Sequence, residues 1–269
     1  ENEKPKDKVY IKLVIKAGSI MEEENQLGLA HLLEHMAFNG SKNYPKDALD
    51  KFMSSIGLEL GSHYNASTGH LKTIYEYEIP SDDPENIATT IKILADISNN
   101  LTLEGEAFER ERKIVEEEWR NDLGASKRYL DEFLTYIYKD SLLLERLPIG
   151  KMEVIRNFEY EDAREYYKKW YQPNLMGIFV IGDVDVNQIK KTITESFASF
   201  ENKDFEMPDY KIPDFKENQF FKYQDEETTS VTFGIWEKTK FQKINSFENY
   251  RDNKIYDLIE AIYDRRIEE

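Results

Sequence analysis

The sequence of 269 residues has no cysteine, only four histidines, and 36 basic residues against 53 acidic ones. Without cysteine, this chain forms no disulfide, no thiolate zinc site and no cysteine nucleophile. The formal net charge of −17 argues against binding to nucleic acid or to an anionic membrane surface, because both need a basic face. No apolar run approaches the roughly 18 residues that a transmembrane helix requires. Polar chemistry in this chain therefore depends on carboxylates and a few histidines.

Apolar residues, in contrast, are abundant and regularly spaced. Hydrophobic residues make up 40% of the chain and aromatic residues 13%, which is enough for a packed core. Alternation over Val9–Ala17 predicts a half-buried strand, and Leu58–Ser67 with His70–Ile79 predicts a hairpin that turns at Thr68-Gly69. Apolar residues at helical spacing predict several helices, among them a long one over Glu104–Asp122. Hairpin strands mixed with runs of helix are typical of an α+β fold, with a mostly antiparallel sheet packed against helices.

Two irregular segments interrupt the predicted strands and helices. Gly18–Asn25 is predicted to be a loop with an acidic tip at Glu22 to Glu24. Asn202–Asn218 is polar and interrupted by prolines, so it is the best candidate for a linker. Strand-like segments at Gln219–Tyr223 and Thr228–Trp236 follow it, and then a helix that continues to the end of the chain. We therefore expect one large unit followed by the incomplete beginning of a second.

One short motif concentrates the scarce histidines. His31 and His35 lie four residues apart with Glu34 between them, in a segment whose apolar residues have helical spacing. On a helix, residues four apart point in the same direction one turn from each other. Two imidazoles and a carboxylate that converge in this way form the H-x-x-E-H motif, the inverted counterpart of the H-E-x-x-H motif of zinc peptidases. The other interpretations are two buried core histidines or a hydrogen-bond network between helices.

A catalytic zinc ion takes three protein ligands, and in a chain without cysteine the third is expected to be a carboxylate. The helix over Glu104–Asp122 offers many. With about 100° per residue, Glu111 and Glu118 fall within the apolar arc of this helix, whereas Glu116 and Glu117 fall outside it. A carboxylate that faces a core is costly unless it is paired or binds a metal. Pairing with a neighbouring arginine is the alternative for Glu111 and Glu118.

These residues resemble a known family. The motif at His31–His35, followed by the acidic run Glu109–Glu118, is similar to the M16 metallopeptidases, the family of pitrilysin, insulin-degrading enzyme and the mitochondrial processing peptidase. Further segments resemble the bacterial PqqL-like branch, among them Glu145–Gly150, Lys169–Tyr171 and Val180–Asp183. The resemblance covers roughly residues 11–200 and becomes weaker beyond them.

The resemblance implies a fold, a reaction and roles for particular residues. The implied fold is the LuxS/MPP-like metallohydrolase fold, and the implied cofactor is one Zn²⁺ per chain. The residues that it implies are the zinc ligands His31, His35 and Glu118, the general base Glu34 acting on a zinc-bound water, the supporting carboxylate Glu111, and the substrate-contacting residues Phe38, Asn65 and Ala66. The implied function is endopeptidase cleavage of extended peptides or unfolded protein segments.

The resemblance also implies an organisation and partners. Residues 1–207 correspond to the N-terminal catalytic domain, and residues 208–269 to a linker and the incomplete beginning of a second domain of the same type. Besides a peptide substrate, the implied partner is the C-terminal half of a longer protein or a partner subunit. The branch implies a bacterial protein of the periplasm or cell envelope, with the cytoplasm as the alternative. Within the family, the alternative function is an inactive subunit, or a half-enzyme that needs a partner chain.

Overall fold

The structure is a computed structural model that describes residues 6–215, 217–229, 231–238 and 243–268. Strands and helices alternate irregularly along the chain. Their bounds are β1 Lys8–Ile15, α1 Leu29–Met36, α2 Lys46–Ser55, β2 Tyr64–Thr68, β3 Thr73–Pro80, α3 Pro84–Asn99, α4 Gly105–Asn121, α5 Ala125–Ile137, α6 Leu142–Glu145, α7 Met152–Asn157, α8 Tyr160–Trp170, β4 Met176–Gly182, α9 Val186–Phe197 and α10 Phe247–Glu268.

The four strands form one sheet in the order β2-β3-β1-β4, and each neighbouring pair is antiparallel. Strand β1 lies in the interior of the sheet, where Leu13 is opposite Tyr75 of β3 and Ile178 of β4. Strands β2 and β4 are its two edges among the described residues. The sheet edge at β2 becomes important below, because an edge strand has unpaired backbone N–H and C=O groups.

Alternation along β1 determines which face of the sheet is buried. Val9, Ile11, Leu13 and Ile15 are fully buried, whereas Tyr10 between them is 41% exposed. The buried face packs with apolar residues of the helices into one core that includes residues of α1, α3, α4 and α8. The prediction of an α+β fold with a mostly antiparallel sheet and packed helices is confirmed.

Several predicted element ends also agree with the structure. Pro84 begins α3, and the carboxylate of Asp83 accepts a hydrogen bond from the backbone N–H of Glu85. Gly57 follows the end of α2 and has a φ of 73°, a left-handed conformation that favours glycine. The strand after Pro173 and the helix after Asp185 are also present, as β4 and α9.

Three local predictions are wrong. The predicted hairpin is shorter, since β2 begins at Tyr64 and the chain returns through residues 69–72, so Thr68 is the last residue of a strand. Glu22 is not at an acidic tip, because it is only 4% exposed. No strand forms in the described residues of Gln219–Tyr223 and Thr228–Trp236, and Ser230 lies outside them. Apolar alternation there was not sufficient, because a strand also needs a partner to satisfy its backbone.

The chain divides into two compact units. The first consists of Glu1–Pro213 with Phe221–Thr228, and the second of Asp214–Phe220 with Thr229–Glu269. In the second unit, α10 is the principal element, and Leu258, Ile262 and Tyr263 on it are more than half exposed. The expected division at residue 207 remains a prediction. Among the described residues, no helix has both the length and the apolar character needed to cross a membrane.

Candidate metal centre

Helix α1 brings the two motif histidines together, as their spacing predicts. The Nε2 atoms of His31 and His35 are 3.2 Å apart, and the two rings meet edge to face. Both side chains are mostly buried, with exposed fractions of 18% and 14%. The spacing of four residues therefore directs two ring nitrogens at one point beside the helix.

Helix α4 adds a carboxylate to this point. Oε2 of Glu118 lies 3.6 Å from Nε2 of His31 and 3.6 Å from Nε2 of His35. One donor atom from each of the three residues lies within 4.8 Å of the others. Two helices that are distant in sequence thus place two imidazoles and one carboxylate around a common centre.

This donor set fits a zinc ion. Zinc bonds of about 2.0–2.2 Å in a tetrahedral arrangement separate neighbouring ligand atoms by roughly 3.3–3.6 Å, close to the observed distances. Nδ1 of His31 is buried without a hydrogen-bond partner among the described residues, and this leaves its ring without the support that His35 has. Two ring nitrogens and a carboxylate oxygen at such short separations are compatible when a cation lies between them.

The burial of Glu111 agrees with the sequence-based expectation, but the exposure of Glu118 does not. Glu111 is 8% exposed, as predicted, but the side chain of Glu118 is 44% exposed and lies at the border of the core. Ile114, which the helical phase also placed in the apolar arc, is 45% exposed. The apolar face of α4 is therefore narrower near its C-terminal half than an ideal helical projection predicts.

The buried carboxylate of Glu111 is paired with a histidine. Nδ1 of His35 donates to Oε2 of Glu111 over 3.1 Å, and the amide of Asn39 donates to Oε1 over 2.7 Å. The same amide nitrogen is 3.2 Å from the backbone oxygen of His35. The hydrogen bond at Nδ1 leaves the lone pair of Nε2 directed at the centre, which is how carboxylates usually orient a metal-binding histidine.

The two histidines experience opposite electrostatic effects. Burial, together with the nearby His35, lowers the pKa of His31 to about 4. Burial also acts to lower the pKa of His35, but the hydrogen bond with Glu111 and the charges of Glu118 and Glu34 outweigh it and raise this pKa. The side chains on α1 and α4 thus form a strongly coupled electrostatic group around the centre.

Glu34 lies on α1 between the two histidines and has a different partner. Its Oε2 accepts a hydrogen bond of 2.6 Å from the hydroxyl of Thr68 at the end of β2. Burial raises the pKa of Glu34, while the Thr68 hydroxyl and the charge of His35 partly counteract this rise. A carboxylate that is only 6% exposed and has a raised pKa is suited to accept a proton.

The N-terminal end of α1 is held by another buried carboxylate. The oxygens of Glu22 accept hydrogen bonds from the backbone N–H groups of Gly28, over 3.0 Å, and Ala30, over 2.8 Å. Gly28 is the N-cap residue, and its φ of 102° is accessible mainly to glycine. Arg146 donates from Nε to the backbone oxygen of Glu22 and from its terminal nitrogen to Glu24. Glu22 therefore satisfies backbone groups that the first turn of a helix leaves unpaired.

The expected substrate-contacting residues lie beside this centre on two elements. The ring of Phe38 follows α1 and packs 5.9 Å from the ring of Tyr64 at the start of β2. Along β2 the side chain of Asn65 is exposed and that of Ala66 is half-buried on the other face. Their contact with a substrate remains a prediction.

Sequence reasoning missed three residues that support the site. Asn39 received no role in the site, Thr68 was interpreted as part of a turn, and Glu22 as part of an acidic loop tip. Asn39 and Thr68 interact with groups far away in sequence, at separations of 72 residues for the pair Asn39–Glu111 and 34 for Thr68–Glu34. The carboxylate of Glu22 instead accepts from backbone groups six and eight residues further on. One signal in the sequence could have suggested Glu22: it precedes a glycine and a motif helix that has no capping side chain of its own.

Comparison with known proteins places this geometry in context. Residues 1–141 match the sequence model of the insulinase family, peptidase family M16, and residues 157–261 match that of the peptidase M16 inactive domain. The chain is 33% identical over 198 residues to the probable zinc protease PqqL of Haemophilus influenzae, with 74% of the chain covered. It is 28% identical over 266 residues to the probable zinc protease PqqL of Escherichia coli, with 98% of the chain covered.

A solved structure agrees with these matches. The first half of the periplasmic protease PqqL from Escherichia coli superposes with a TM-score of 0.75 and 32% identity, over 78% of this chain and 45% of that one. The two PqqL relatives are much longer than the present chain, which covers 21% and 29% of their lengths. The similarity thus concerns the N-terminal part of such proteins.

Proposed function

The chain belongs to the M16 family of peptidases, and on this premise we propose that it is the zinc-binding part of a metalloendopeptidase. The observation that carries the proposal is the convergence of His31, His35 and Glu118 within 4.8 Å, with the carboxylate of Glu34 on the same helix. The zinc ligands are His31, His35 and Glu118. Glu111 orients the ring of His35 by accepting a hydrogen bond from its Nδ1. Relatives named zinc proteases support this assignment.

The chemistry follows from the positions of the side chains. A zinc ion held by His31, His35 and Glu118 would supply a water molecule of lowered pKa and a Lewis acid for the scissile carbonyl. Glu34 takes the proton from the attacking water and delivers it to the leaving amine, a role that its raised pKa suits. His35 stays oriented through Glu111, so the geometry around the reacting groups is set before substrate arrives.

The substrate class follows from the edge of the sheet. Strand β2 pairs only with β3 among the described strands, so its other side is available to an extended peptide. A peptide that adds to β2 gains main-chain hydrogen bonds, and its alternate side chains meet pockets. Asn65 and Ala66 lie on this strand, and Phe38 lies beside it. This binding mode favours extended peptides and unfolded segments over folded proteins.

The organisation proposed for the whole protein follows from the longer relatives. We propose that residues 1–207 form the catalytic domain and that residues 208–269 are a linker and the beginning of a second domain of the same type. The partner is then a C-terminal half in the same protein, or a separate subunit. The Escherichia coli relative is described as periplasmic, and we propose the bacterial periplasm for this protein as well.

The decisive experiment is Glu34→Gln in the full-length protein. The amide keeps the shape of the side chain but cannot accept the proton, so we expect kcat for an unstructured peptide to fall by about 10² to 10⁴-fold. Zinc content, measured by atomic emission, is expected to stay near one ion per chain. The matched control is Glu117→Gln, since Glu117 is exposed on α4.

Each result has a distinct meaning. Near-normal turnover of Glu34→Gln contradicts the role of Glu34. A wild-type protein that binds zinc and cleaves no peptide favours the alternative function, an inactive subunit or a half-enzyme. Activity that appears only after addition of a separate partner chain identifies the half-enzyme.

A further inference from the structure

The hydroxyl of Thr68 links two parts of the site that are otherwise separate. Thr68 is the last residue of β2, and its side chain donates a hydrogen bond of 2.6 Å to Oε2 of Glu34 on α1. The residues are 34 positions apart in sequence, so the bond exists only because β2 packs over α1. It is part-buried, and a hydrogen bond to a charged group is stronger when water is partly excluded.

The alternation of β2 explains why Thr68 reaches this carboxylate. Side chains at Tyr64, Ala66 and Thr68 are half-buried on one face of the strand, whereas those at Asn65 and Ser67 are exposed on the other. The half-buried face is directed at α1 and at the turn that follows it, as the contact of the Tyr64 ring with Phe38 shows. The position of Thr68 along the strand is in turn fixed by its pairing with Thr73 of β3.

The hydrogen bond has a chemical consequence for Glu34. It occupies Oε2 and so limits rotation of the carboxyl group, which leaves Oε1 as the oxygen available to accept a proton. A carboxylate that must act within about 0.5 Å of its productive position benefits from such a fixed rotamer. Thr68 also cannot move without β2, the strand that we propose as the docking edge for the peptide.

We propose that Thr68 is a positioning residue that couples substrate docking to catalysis, because its hydroxyl fixes Glu34 from the strand that receives the peptide. The inference rests on the proposed function and adds one element to it: the strand that binds the peptide also orients the general base. A peptide seated on β2 is thereby placed at a constant distance from the proton acceptor.

The test is a set of substitutions at Thr68 in the full-length protein. Thr68→Val is nearly isosteric and keeps a β-branched side chain suited to a strand, so folding is expected to be retained. We expect kcat to fall by about 10 to 100-fold, the value of a hydrogen bond to a charged group, with KM within twofold of wild type. Thr68→Ser restores the hydroxyl and is expected to recover at least half of kcat.

Two further measurements separate positioning from a structural effect. Zinc content is expected to be unchanged in Thr68→Val. In the Glu34→Gln background, the dissociation constant for an uncleaved peptide is also expected to stay within twofold when valine is added at position 68. The matched control is Thr89→Val on α3, where a threonine hydroxyl also donates to a glutamate, Glu85, with expected kcat and KM near wild type.

Three results overturn the inference. They are a kcat of Thr68→Val within twofold of wild type, a loss confined to KM, or a loss of zinc. If Glu34→Gln is inactive while Thr68→Val keeps its kcat, the inference fails and the proposed function stands. If Glu34→Gln keeps its turnover, the proposed function fails, and the inference about Thr68 fails with it.

Discussion

The two helices that form the candidate metal centre hold their side chains very differently. Helix α1 is fixed at both ends, by Glu22 at its first turn and by the contact between His35 and Glu111 near its last. The C-terminal half of α4 is more exposed, and Glu118 on it is 44% exposed. The α1 side of the centre is therefore pre-organised by buried polar contacts. The α4 side contributes the carboxylate of Glu118, which lies on a half-exposed helix turn.

This difference indicates how the centre assembles. The separation of the two imidazoles on α1 is set by the helix, and the ring of His35 is also held by Glu111. The carboxylate of Glu118 has more freedom to adjust, and its 3.6 Å distances to both rings leave room for a small movement. We therefore expect α1 to supply most of the affinity for zinc and α4 to complete the coordination.

Removal of one ligand from each helix tests this comparison with the largest expected effect. His31→Ala removes a ring from the fixed helix and is expected to reduce zinc binding by several orders of magnitude, leaving no stoichiometric metal after dialysis. Glu118→Gln keeps the shape of the side chain but not its charge, and we expect a smaller loss that added zinc can overcome in part. Isothermal titration with zinc against a competing chelator measures both affinities.

The outcome can contradict the comparison in two ways. Equal losses in the two variants mean that α4 is as important as α1 for zinc affinity. Stoichiometric zinc in Glu118→Gln at wild-type affinity means that Glu118 is not a ligand at all. Glu117→Gln, one residue away and exposed, serves as the control for a general charge effect on α4.

The hydrogen bond between His35 and Glu111 predicts an effect of intermediate size on zinc affinity. Glu111→Gln replaces the carboxylate that orients the ring by a neutral amide, and such supporting partners typically contribute 10 to 100-fold in metal affinity or activity. We expect zinc affinity to fall by that factor while the fold stays intact. Competition titration and circular dichroism measure the two quantities. Unchanged affinity and activity would mean that the helix alone fixes the orientation of His35.

The sequence predicted the fixed helix better than its surroundings. The spacing of His31, Glu34 and His35 has a direct geometric meaning on a helix, and the rings lie together as that spacing requires. The apolar phase of α4 predicted that both Glu111 and Glu118 face the core. It failed to predict that Glu118 is half exposed, because a helical projection contains no information about where neighbouring elements end.

The supporting residues could not be predicted for a related reason. Thr68 and Asn39 act through contacts that depend on how β2 and α4 pack against α1, and no local pattern encodes such packing. Glu22 was assigned to an exposed loop because charged residues are mostly exposed. Its burial reflects the backbone N–H groups of α1 that it satisfies. Long-range polar contacts of this kind become visible only once the elements are assembled.

The smallest predicted effect concerns Glu22, which anchors α1 at its N-terminus. Burial raises the pKa of Glu22 from 4.5 to about 8, although the bonds from Ala30 and Gly28 and the charge of Arg146 act in the other direction. The hydroxyl of Tyr166 on α8 also interacts with it electrostatically. A carboxyl with a raised pKa in the folded state binds its proton more tightly there than in the unfolded chain. Folding stability from this group is thus complete below about pH 4.5 and is lost as the pH rises toward 8.

Glu22→Gln removes this dependence, because an amide does not titrate in that range. Urea unfolding of the metal-free protein between pH 5.5 and 7.5 is expected to show a free energy of unfolding that falls with pH in the wild type, by up to about 1.4 kcal/mol per pH unit relative to the variant. Glu24→Gln is the control, since Glu24 is exposed and its pKa is lowered by Arg146. If the free energy of unfolding depends on pH equally in wild type and Glu22→Gln, the N-terminus of α1 and Arg146 stabilise the charged form of Glu22 more than burial destabilises it, and Glu22 stays ionised. In that case an ionised Glu22 anchors the N-terminus of α1. The difference between this fixed end of α1 and the exposed turn of α4 then has an electrostatic origin.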